Sequence, residues 1–262
     1  MTSPSHLQRL LQRVSSPFLP KIPQRRFAIV HEVLPGQEQV LRSVLELAER
    51  TPSLDFTLTF DDGFYSSYKA IRELRSRKAL FFVCPEFIEH ADSGNWKDFF
   101  SRNLRRTEEL TDPDFAHAVQ PASWEQLKEL VRLGHRIGSH GFSHARLSSI
   151  SSSKELEREI VGSADLLEDR LETKVDCFSN PFGDFKSIGT SALRVILRRY
   201  QYFFTGIRGN NHRSRHPKVF WRDTIHLYWP MDYIAFLLRG GFDWRYLPYR
   251  RALGTMAERL ED

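Results

Sequence analysis

Two adjacent carboxylates follow a short apolar run near residue 60. The run at 56–60 has the letters FTLTF, and Asp61 and Asp62 come directly after it, before Gly63. Two neighbouring carboxylates at the end of a buried strand are costly unless another charge meets them. A metal ion does this for one aspartate and leaves the other available as a base. The structural alternative is a cap for the next helix together with a turn residue before Gly63.

A pair of histidines lies at the end of another predicted strand. His140 is the last residue of this strand, HRIGSH at 135–140, and His144 follows four residues later. Two imidazoles at this spacing can converge on one ion, either across a helical turn or in a folded loop. The alternative is a pair of hydrogen-bonded or solvent-facing histidines. Because both this pair and the aspartates come at strand ends, the combination favours a metal site.

These side chains can meet only if several strands end at the same edge of a sheet. Strand-like apolar runs are predicted at 27–33, 56–60, 79–84, 135–140, 175–180, 201–206 and 219–227. Helix-period segments are predicted between them at 37–50, 65–78, 124–134, 152–171 and 190–199. Such alternation predicts right-handed crossovers and a parallel sheet. Seven units in 262 residues predict an α/β fold, a closed or nearly closed barrel in one domain, with its chemistry where strands end.

Two segments depart from this alternation. Residues 1–25 are rich in Ser, Pro and Arg, and we interpret them as an N-terminal extension containing a short amphipathic helix. The remaining residues, 26–262, form the predicted domain. Within it, 86–122 contains Gly, Asn, Pro and many charges, and is interpreted as an insertion over one end of the barrel.

Four motifs in a fixed order resemble those of the polysaccharide deacetylases, the NodB-homology group of carbohydrate esterase family 4. In chain order they are TFDDG at 59–63, HGFSH at 140–144, SNPFG at 179–183 and IHL at 225–227. The first matches the family motif residue for residue, and in the second Gly141 takes a position where Ser or Thr is common. The resemblance spans 57–227 and implies the irregular (β/α)7 barrel of that family.

The resemblance implies a division of labour between the carboxylates and the histidines. Asp62, His140 and His144 would bind one divalent metal ion, and Asp61 would be the general base toward the attacking water. Zn²⁺ is the ion expected for an Asp-His-His set, with Co²⁺, Ni²⁺ or Mn²⁺ able to replace it.

The later motifs imply the remaining roles. His226 would be the general acid that protonates the departing amine. The turn formed by Pro181, Phe182 and Gly183 would contact the substrate, and the backbone N–H of Phe182 would stabilise the oxyanion.

The third motif departs from the family pattern at its first residue. Ser179 stands where the family has an arginine that orients the base. We predict that Arg222, four residues before His226, takes over this role.

Other polar residues are weaker candidates. Asp223 could be a partner of His226, or else a surface residue. His31 lies late in the predicted strand at 27–33, where members of the family that the chain resembles often have a histidine near the site, although a core or rim histidine is the preferred interpretation. The pair Asp243-Trp244 has the letters of the family's fourth motif but comes too late in the chain, and is interpreted as a helix-end turn with a packed indole.

Composition limits the partners and the location. The net charge of +5 and the pI near 9.3 favour an anionic partner, whereas no motif indicates nucleic acid. Cys84 and Cys177 are predicted to be buried thiols. No signal-peptide pattern or membrane span is evident, so the expected location is the cytoplasm or the inner face of the membrane. The segment 228–251 combines aromatic, apolar and Arg residues, and either rests on a membrane surface or forms a closing helix with an Arg rim.

The predicted function is metal-dependent removal of an N-acetyl group from a sugar. The predicted substrate is an intracellular intermediate of surface polysaccharide or glycolipid biosynthesis, linked to a nucleotide or to a lipid phosphate. One alternative is a deformylase or another C–N amide hydrolase on the same scaffold. A second alternative is a non-catalytic carbohydrate-binding relative.

Overall fold

Seven parallel strands close into a barrel in the computed structural model, which describes residues 4–15, 22–74, 78–91, 94–104 and 110–261. The strands are β1 (Gln24–Val30), β2 (Leu54–Phe60), β3 (Leu80–Val83), β4 (Arg136–Ser139), β5 (Cys177–Ser179), β6 (Tyr202–Thr205) and β7 (Val219–Thr224). Each strand pairs with its chain neighbours, and β7 closes the ring by pairing with β1. The predicted (β/α)7 barrel is therefore confirmed.

Helices occupy the connections between the strands. They are α1 (His6–Ser15), α2 (Glu38–Glu49), α3 (Tyr65–Leu74), α4 (Pro85–Glu89), α5 (Trp96–Phe99), α6 (Pro113–Ala118), α7 (Trp124–Arg132), α8 (Ser153–Glu157), α9 (Ser163–Leu171), α10 (Thr190–Arg199), α11 (Met231–Leu238) and α12 (Leu247–Glu261). A π-helical turn, Arg158–Gly162, joins α8 to α9, so the helix predicted at 152–171 is one continuous rod with an internal bulge. The other predicted helices are present within a few residues of their expected bounds, and 75–77 at the end of the second lies outside the described residues.

The first and last strands have boundaries that differ by three residues from those predicted, whereas the other five agree within two residues. The first strand begins at Gln24 and ends at Val30, because all seven of its residues pair with β2. The last strand ends at Thr224, where its pairing with β1 stops. His31 and His226 therefore both lie in loops that follow strands, and strand geometry does not fix the direction of their side chains.

Aromatic side chains fill the interior of the barrel. Phe27, Phe82 and Phe204 come from β1, β3 and β6, which are not neighbours in the ring, and all three are buried. Their rings meet at centroid distances of 5.1 Å (Phe27–Phe204) and 5.2 Å (Phe82–Phe204). Contact across the ring is possible only inside it, so these rings form a packed apolar floor. Cys177 lies in the same cluster, and both cysteines are buried free thiols as predicted.

The outer side of β1 and β7 carries a buried charge cluster. Arg26 Nη1 lies 3.3 Å from Asp223 Oδ2, and its Nη2 lies 2.7 Å from Asp243 Oδ2. The Arg26 and Asp223 side chains have no exposed surface. The surface interpretation of Asp223 is therefore wrong: neighbouring strand residues point to opposite faces, and Asp223 points away from the interior toward the helices. The interpretation of Trp244 as a packed indole is also wrong, because this residue is 72% exposed.

The segment at 86–122 lies beside the carboxyl ends of the strands. Its described part contains α4, α5 and α6, whose rings pack on Phe64, just after β2, in a cluster with Phe87, Phe100 and Phe115. Residues 92–93 and 105–109 fall outside the described part. The interpretation of 86–122 as an insertion over one end of the barrel stays a prediction.

The C-terminal segment 228–251 divides into a buried and an exposed part. Helix α11 is buried over most of its length and packs against α2. Trp244, Leu247 and Tyr249 are exposed. In the described part of the chain, no helix is both long enough and apolar enough to cross a membrane.

The buried charge cluster yields a stability prediction. Replacing Arg26 by Ala removes the cation that Asp223 and Asp243 share and, among the described residues, leaves Asp223 paired only with Arg208, at 3.4 Å. It should lower the free energy of unfolding by about 3 kcal/mol. Arg25→Ala is the matched control, because Arg25 pairs with Asp55 at the surface and should contribute about 0–1 kcal/mol. Urea unfolding of both variants measures the difference, and equal losses would contradict the structural role of the cluster.

Candidate active site

The first feature of the site is a buried ion pair between Asp61 and Arg222. Arg222 donates from Nη1 to Asp61 Oδ1 (2.6 Å) and from Nη2 to Oδ2 (2.9 Å). The same guanidinium donates to Thr59 Oγ1 (3.1 Å), to the Thr205 carbonyl (3.2 Å) and to the hydroxyl of Ser179. All five guanidinium N–H bonds thus have acceptor positions around them, and the two-pronged contact fixes the carboxylate plane.

The contact with Ser179 explains the departure in the third motif. The family pattern places an arginine at this position, whereas here a short hydroxyl side chain binds an arginine that comes from β7. The guanidinium carbon of Arg222 also lies 4.8 Å from the ring centre of Phe82, on the aromatic floor. The structure therefore brings Arg222 and Asp61 together as the sequence predicts.

The charge state of Asp61 follows from this pairing. Burial raises its pKa, but the charge of Arg222 opposes this, with a smaller contribution from His140, and the pKa falls to about 2. The carboxyl is therefore ionised at neutral pH, as a proton acceptor must be.

The second feature of the site is a cluster of three potential metal ligands. Asp62 Oδ1 lies 3.5 Å from Nε2 of His140 and 3.5 Å from Nε2 of His144. One ligand atom from each of these buried residues can be chosen so that all lie within 4.8 Å of one another. A carboxylate oxygen and two imidazole nitrogens at these separations match a three-residue divalent metal site with open positions.

The outer nitrogens of the two imidazoles test whether this cluster fits a metal. His140 Nδ1 lies 2.9 Å from the carbonyl oxygen of Ser179, and His144 Nδ1 lies 2.8 Å from that of Asn103. A carbonyl can only accept, so each Nδ1 carries the proton and each Nε2 presents a lone pair toward Asp62. Metal-binding histidines are typically held in this way, so the residues fit a divalent ion.

Backbone conformation at three positions supports this geometry. Asp62 (φ 73°), His144 (φ 62°) and Phe182 (φ 67°) are non-glycine residues in the left-handed region. Such conformations cost free energy and persist where surrounding contacts impose them. At Asp62 the reversal turns the side chain toward the histidines although Asp61, its neighbour, points to Arg222.

Glu159 organises the loop between the two histidines and was missed by the sequence analysis. It is buried, and its Oε2 accepts from the backbone N–H groups of Phe142 and Ser143, each at 3.0 Å. Its Oε1 accepts from the Ser143 hydroxyl at 2.7 Å. The available signal was a charge on the apolar stripe of its helix, between Leu156 and Ile160.

A pocket of about 540 Å³ opens over the ion pair and the ligand cluster. Asp61, Asp62, Arg222 and both histidines line it. Its other lining residues include His31, Phe182, Gly183, Phe185, Lys186, Tyr246 and Tyr249. His144 and Phe182 are in ring contact, with a centroid distance of 4.8 Å. Phe182 and Gly183 of the turn at 181–183 therefore form one wall of the pocket, and contact of this turn with a substrate stays a prediction.

The two other histidines that the sequence analysis singled out, His31 and His226, occupy different places. His31 lines the pocket, and its proximity lowers the pKa of Asp61 as a minor contribution. His226 lines a second pocket of about 170 Å³, together with Trp229 and Arg245. Its ring packs against Tyr228 and Trp229. His226 lies in the loop after β7, which ends at Thr224, and is not among the residues that line the main pocket. This position does not support the role of general acid that was predicted for His226.

Comparison with known proteins places the chain in a family. The sequence profile described as Polysaccharide deacetylase matches residues 48–199. The chain belongs to this family. The match contains the motifs at 59–63, 140–144 and 179–183. It ends before β6 and before β7, the strand that contains Arg222. A search of curated proteins finds no match.

Several solved structures share the fold of this family member. IcaB from Ammonifex degensii is 18% identical with a TM-score of 0.58, over 83% of this chain and 98% of that chain. The Streptococcus pyogenes deacetylase PplD in complex with acetate is 17% identical with a TM-score of 0.54, over 83% and 98%. A polysaccharide deacetylase from Bacillus cereus is 17% identical with a TM-score of 0.55, over 84% and 69%. At these identities the similarity establishes the barrel fold.

The two adjacent carboxylates yield a prediction that separates them. Asp62→Ala removes one of three ligands and should abolish stoichiometric zinc binding, measured by elemental analysis after dialysis against zinc. Asp61→Asn should retain zinc, because the Asp61 carboxylate of the wild type pairs with Arg222 and is not one of the proposed zinc ligands. Loss of zinc from Asp61→Asn, with retention by Asp62→Ala, would reverse the assignment.

Arg222 yields a second prediction at the site. Arg222→Ala should lower kcat/KM by about 10²-fold or more, the usual contribution of a general base, because Asp61 loses the contact that orients it. Arg222→Lys keeps the positive charge but cannot make the bidentate contact with Asp61. Its kcat/KM should therefore lie between those of the wild type and Arg222→Ala. Zinc content should remain that of the wild type, and an unchanged rate in Arg222→Ala would refute the role.

Proposed function

We propose that this protein is a metal-dependent hydrolase that removes the acetyl group from an N-acetylated sugar. Family membership supports carbohydrate de-N-acetylation, and the site supports the chemistry. The observation that carries the proposal is the juxtaposition in one pocket of an Asp-His-His ligand set and a separate, ionised carboxylate.

Asp62, His140 and His144 are the proposed metal ligands, through one carboxylate oxygen and two Nε2 atoms. A divalent ion such as Zn²⁺ would lower the pKa of water and polarise the acetyl carbonyl. Asp61 accepts a proton from the water that attacks the carbonyl carbon. Arg222 holds Asp61 ionised and fixes its orientation, so that the carboxylate stays out of the ligand set.

The oxyanion formed by this attack needs a donor on the wall formed by the turn at 181–183. The N–H of Gly183 already donates to the Asn180 carbonyl at 3.1 Å. We therefore assign the role of hydrogen-bond donor to the oxyanion to the backbone N–H of Phe182, as the resemblance suggests. Gly183 itself is required for close packing, since a Cβ there would lie 2.9 Å from the backbone of Gly206.

Collapse of the tetrahedral intermediate breaks the C–N bond and requires a proton on the amine nitrogen. We propose His31 rather than His226 as the donor, because His31 lines the pocket that contains Asp61. Its backbone is held by the Ser67 hydroxyl, which donates to the His31 carbonyl at 2.8 Å. The products are acetate and the free amino sugar.

We propose a phosphate-linked sugar as the substrate, an intermediate of surface polysaccharide or glycolipid biosynthesis on the cytoplasmic side. The support is the basic chain and the presence of Lys186 in the pocket, where Asp61 is paired with Arg222 and Asp184 lies 3.7 Å from Arg146. Four aromatic side chains in the wall (Phe182, Phe185, Tyr246 and Tyr249) suit the apolar face of a sugar ring.

Acetate release from a panel of N-acetyl sugars tests the reaction. Free, nucleotide-linked and lipid-phosphate-linked sugars are compared, with zinc or cobalt supplied. Wild type should release acetate, and the zinc-loaded Asp61→Asn variant should not. Release of formate from N-formyl analogues alone would favour the deformylase alternative. Zinc binding without turnover on any acyl amide would favour the carbohydrate-binding alternative.

The two histidines are tested as a matched pair in the same assay. His31→Ala should lower kcat by about 10²-fold or more, since proton donation by a positioned acid typically contributes that much. His226→Ala should retain kcat within a few-fold. The reverse outcome would return the acid role to His226.

A further inference from the structure

The exposed apolar side chains of this protein are concentrated around the mouth of the active site. Of the seven large apolar residues that are exposed in the described part of the chain, six belong to the elements surrounding the two pockets. They are Leu10, Leu11, Phe182, Trp244, Leu247 and Tyr249. The seventh, Leu133, lies at the end of α7, three residues before the start of β4, and therefore at the opposite end of the barrel.

Contacts and chain positions place the six residues. Phe182 and Tyr249 line the main pocket, while Trp244 and Leu247 flank Arg245 and Tyr246, which line the second. The two pockets share Gly206, Thr224 and Tyr246, so they open side by side.

Helix α1 supplies the remaining two, Leu10 and Leu11. Its Gln8 lines the second pocket. Arg9 and Gln12 of the same helix bind Asp232 at the start of α11, at 3.1 Å and 3.2 Å. Because α11 follows β7, its start lies at the carboxyl end of the barrel, beside the site.

Basic side chains are interleaved with this apolar rim. Lys186 lines the main pocket, Arg245 lines the second, and Arg146 lies over the Phe182 ring at 4.2 Å. The nearby carboxylates of Asp184 and Asp232 each lie against an arginine, at 3.7 Å from Arg146 and 3.1 Å from Arg9. Among the described residues, no carboxylate lies within ion-pair distance of Lys186 or Arg245, so both are available to an anionic partner.

We propose that this rim is a docking surface for an anionic membrane, which seats the active site over a lipid-linked sugar. The choice of a bilayer rests on the kind of side chain. Aliphatic Leu10, Leu11 and Leu247 offer no flat ring to a sugar, but they can enter the acyl boundary of a bilayer. Trp and Tyr favour the interfacial level, and Lys and Arg favour lipid phosphates. The rim is formed by loops and helix ends rather than by one amphipathic helix, so binding should be peripheral and reversible.

The identity of the substrate rests on the proposed function, whereas the docking surface does not. Vesicle flotation of the full chain therefore tests it without turnover, with phosphatidylcholine vesicles alone and with phosphatidylcholine mixed with phosphatidylglycerol. Wild type should float with the mixed vesicles, more weakly with the neutral ones, and less as salt is raised.

Surface variants make the test specific. The double variant Trp244→Asp with Leu247→Asp should lower vesicle partitioning by about tenfold or more, given the free energy of burying such side chains. Leu10→Asp should also lower it. Leu133→Asp introduces the same change at the opposite end of the barrel and should float like wild type. None of these residues lines either pocket, so deacetylation of a water-soluble substrate should be unchanged, and thermal melting verifies that each variant is folded.

Four results would overturn the proposal. The first is a wild-type protein that fails to float with either kind of vesicle. The second is a double variant that floats as well as the Leu133→Asp control. The third is concentration-dependent dimerisation of wild type that the double variant abolishes without any vesicle binding, which would assign the rim to a second copy of the chain. The fourth is a soluble glycan oligomer that binds wild type but not the double variant, again without vesicle binding, which would assign the rim to a polysaccharide.

Discussion

The buried pair of Arg222 and Asp61 is the interaction on which the site depends. A carboxylate with almost no exposure would be costly without a cation, and a fully buried guanidinium needs acceptors on every side. Here the acceptors come from β2, β5 and β6, so closure of the barrel brings together the groups that solvate the arginine. The aromatic floor below, which includes Phe82, excludes water from the pair. Because the geometry is shared among strands, a change in any of them alters the position of Asp61.

The same pair accounts for the different behaviour of two neighbouring carboxylates. Along a regular strand, Asp61 and Asp62 would point to opposite faces. The left-handed conformation of Asp62 overrides this alternation and turns its side chain toward His140 and His144. Asp61 Oδ2 lies only 3.8 Å from His140 Nε2, but its contact with Arg222 keeps the Asp61 carboxylate out of the ligand cluster. One short turn thus supplies both a metal ligand and a proton acceptor.

Much of this arrangement could be predicted from the sequence, because it follows from period and order. Seven alternating units gave the barrel, and motifs at strand ends gave the ligand cluster. Arg222 was predictable because Ser179 leaves the family's orienting charge to be supplied from elsewhere. The position of His31 and His226 was not, since each lies just past the end of a strand, where the direction of the loop depends on tertiary packing. Asp223 was misjudged for a related reason: alternation tells which face a strand residue takes, but not that Arg26 and Asp243 are present there.

The position of Glu159 illustrates a further limit. A single charge on an apolar helical stripe is visible in the sequence, but its partners are backbone N–H groups of a loop 16 and 17 residues away. Backbone donors have no sequence signature, so the role of this residue appears only in the folded chain. The exposed rim also appears only in the folded chain. Leu10 and Trp244 are far apart in sequence, but both belong to elements that surround the two pockets.

Anomalous diffraction from crystals of the wild-type protein soaked in zinc would test the central assignment most directly. The account predicts one strong peak in coordination distance of Asp62 and of Nε2 of both His140 and His144, with Asp61 still held by Arg222. A peak coordinated by Asp61, with its contact to Arg222 broken, would contradict the account, as would zinc bound only away from this cluster.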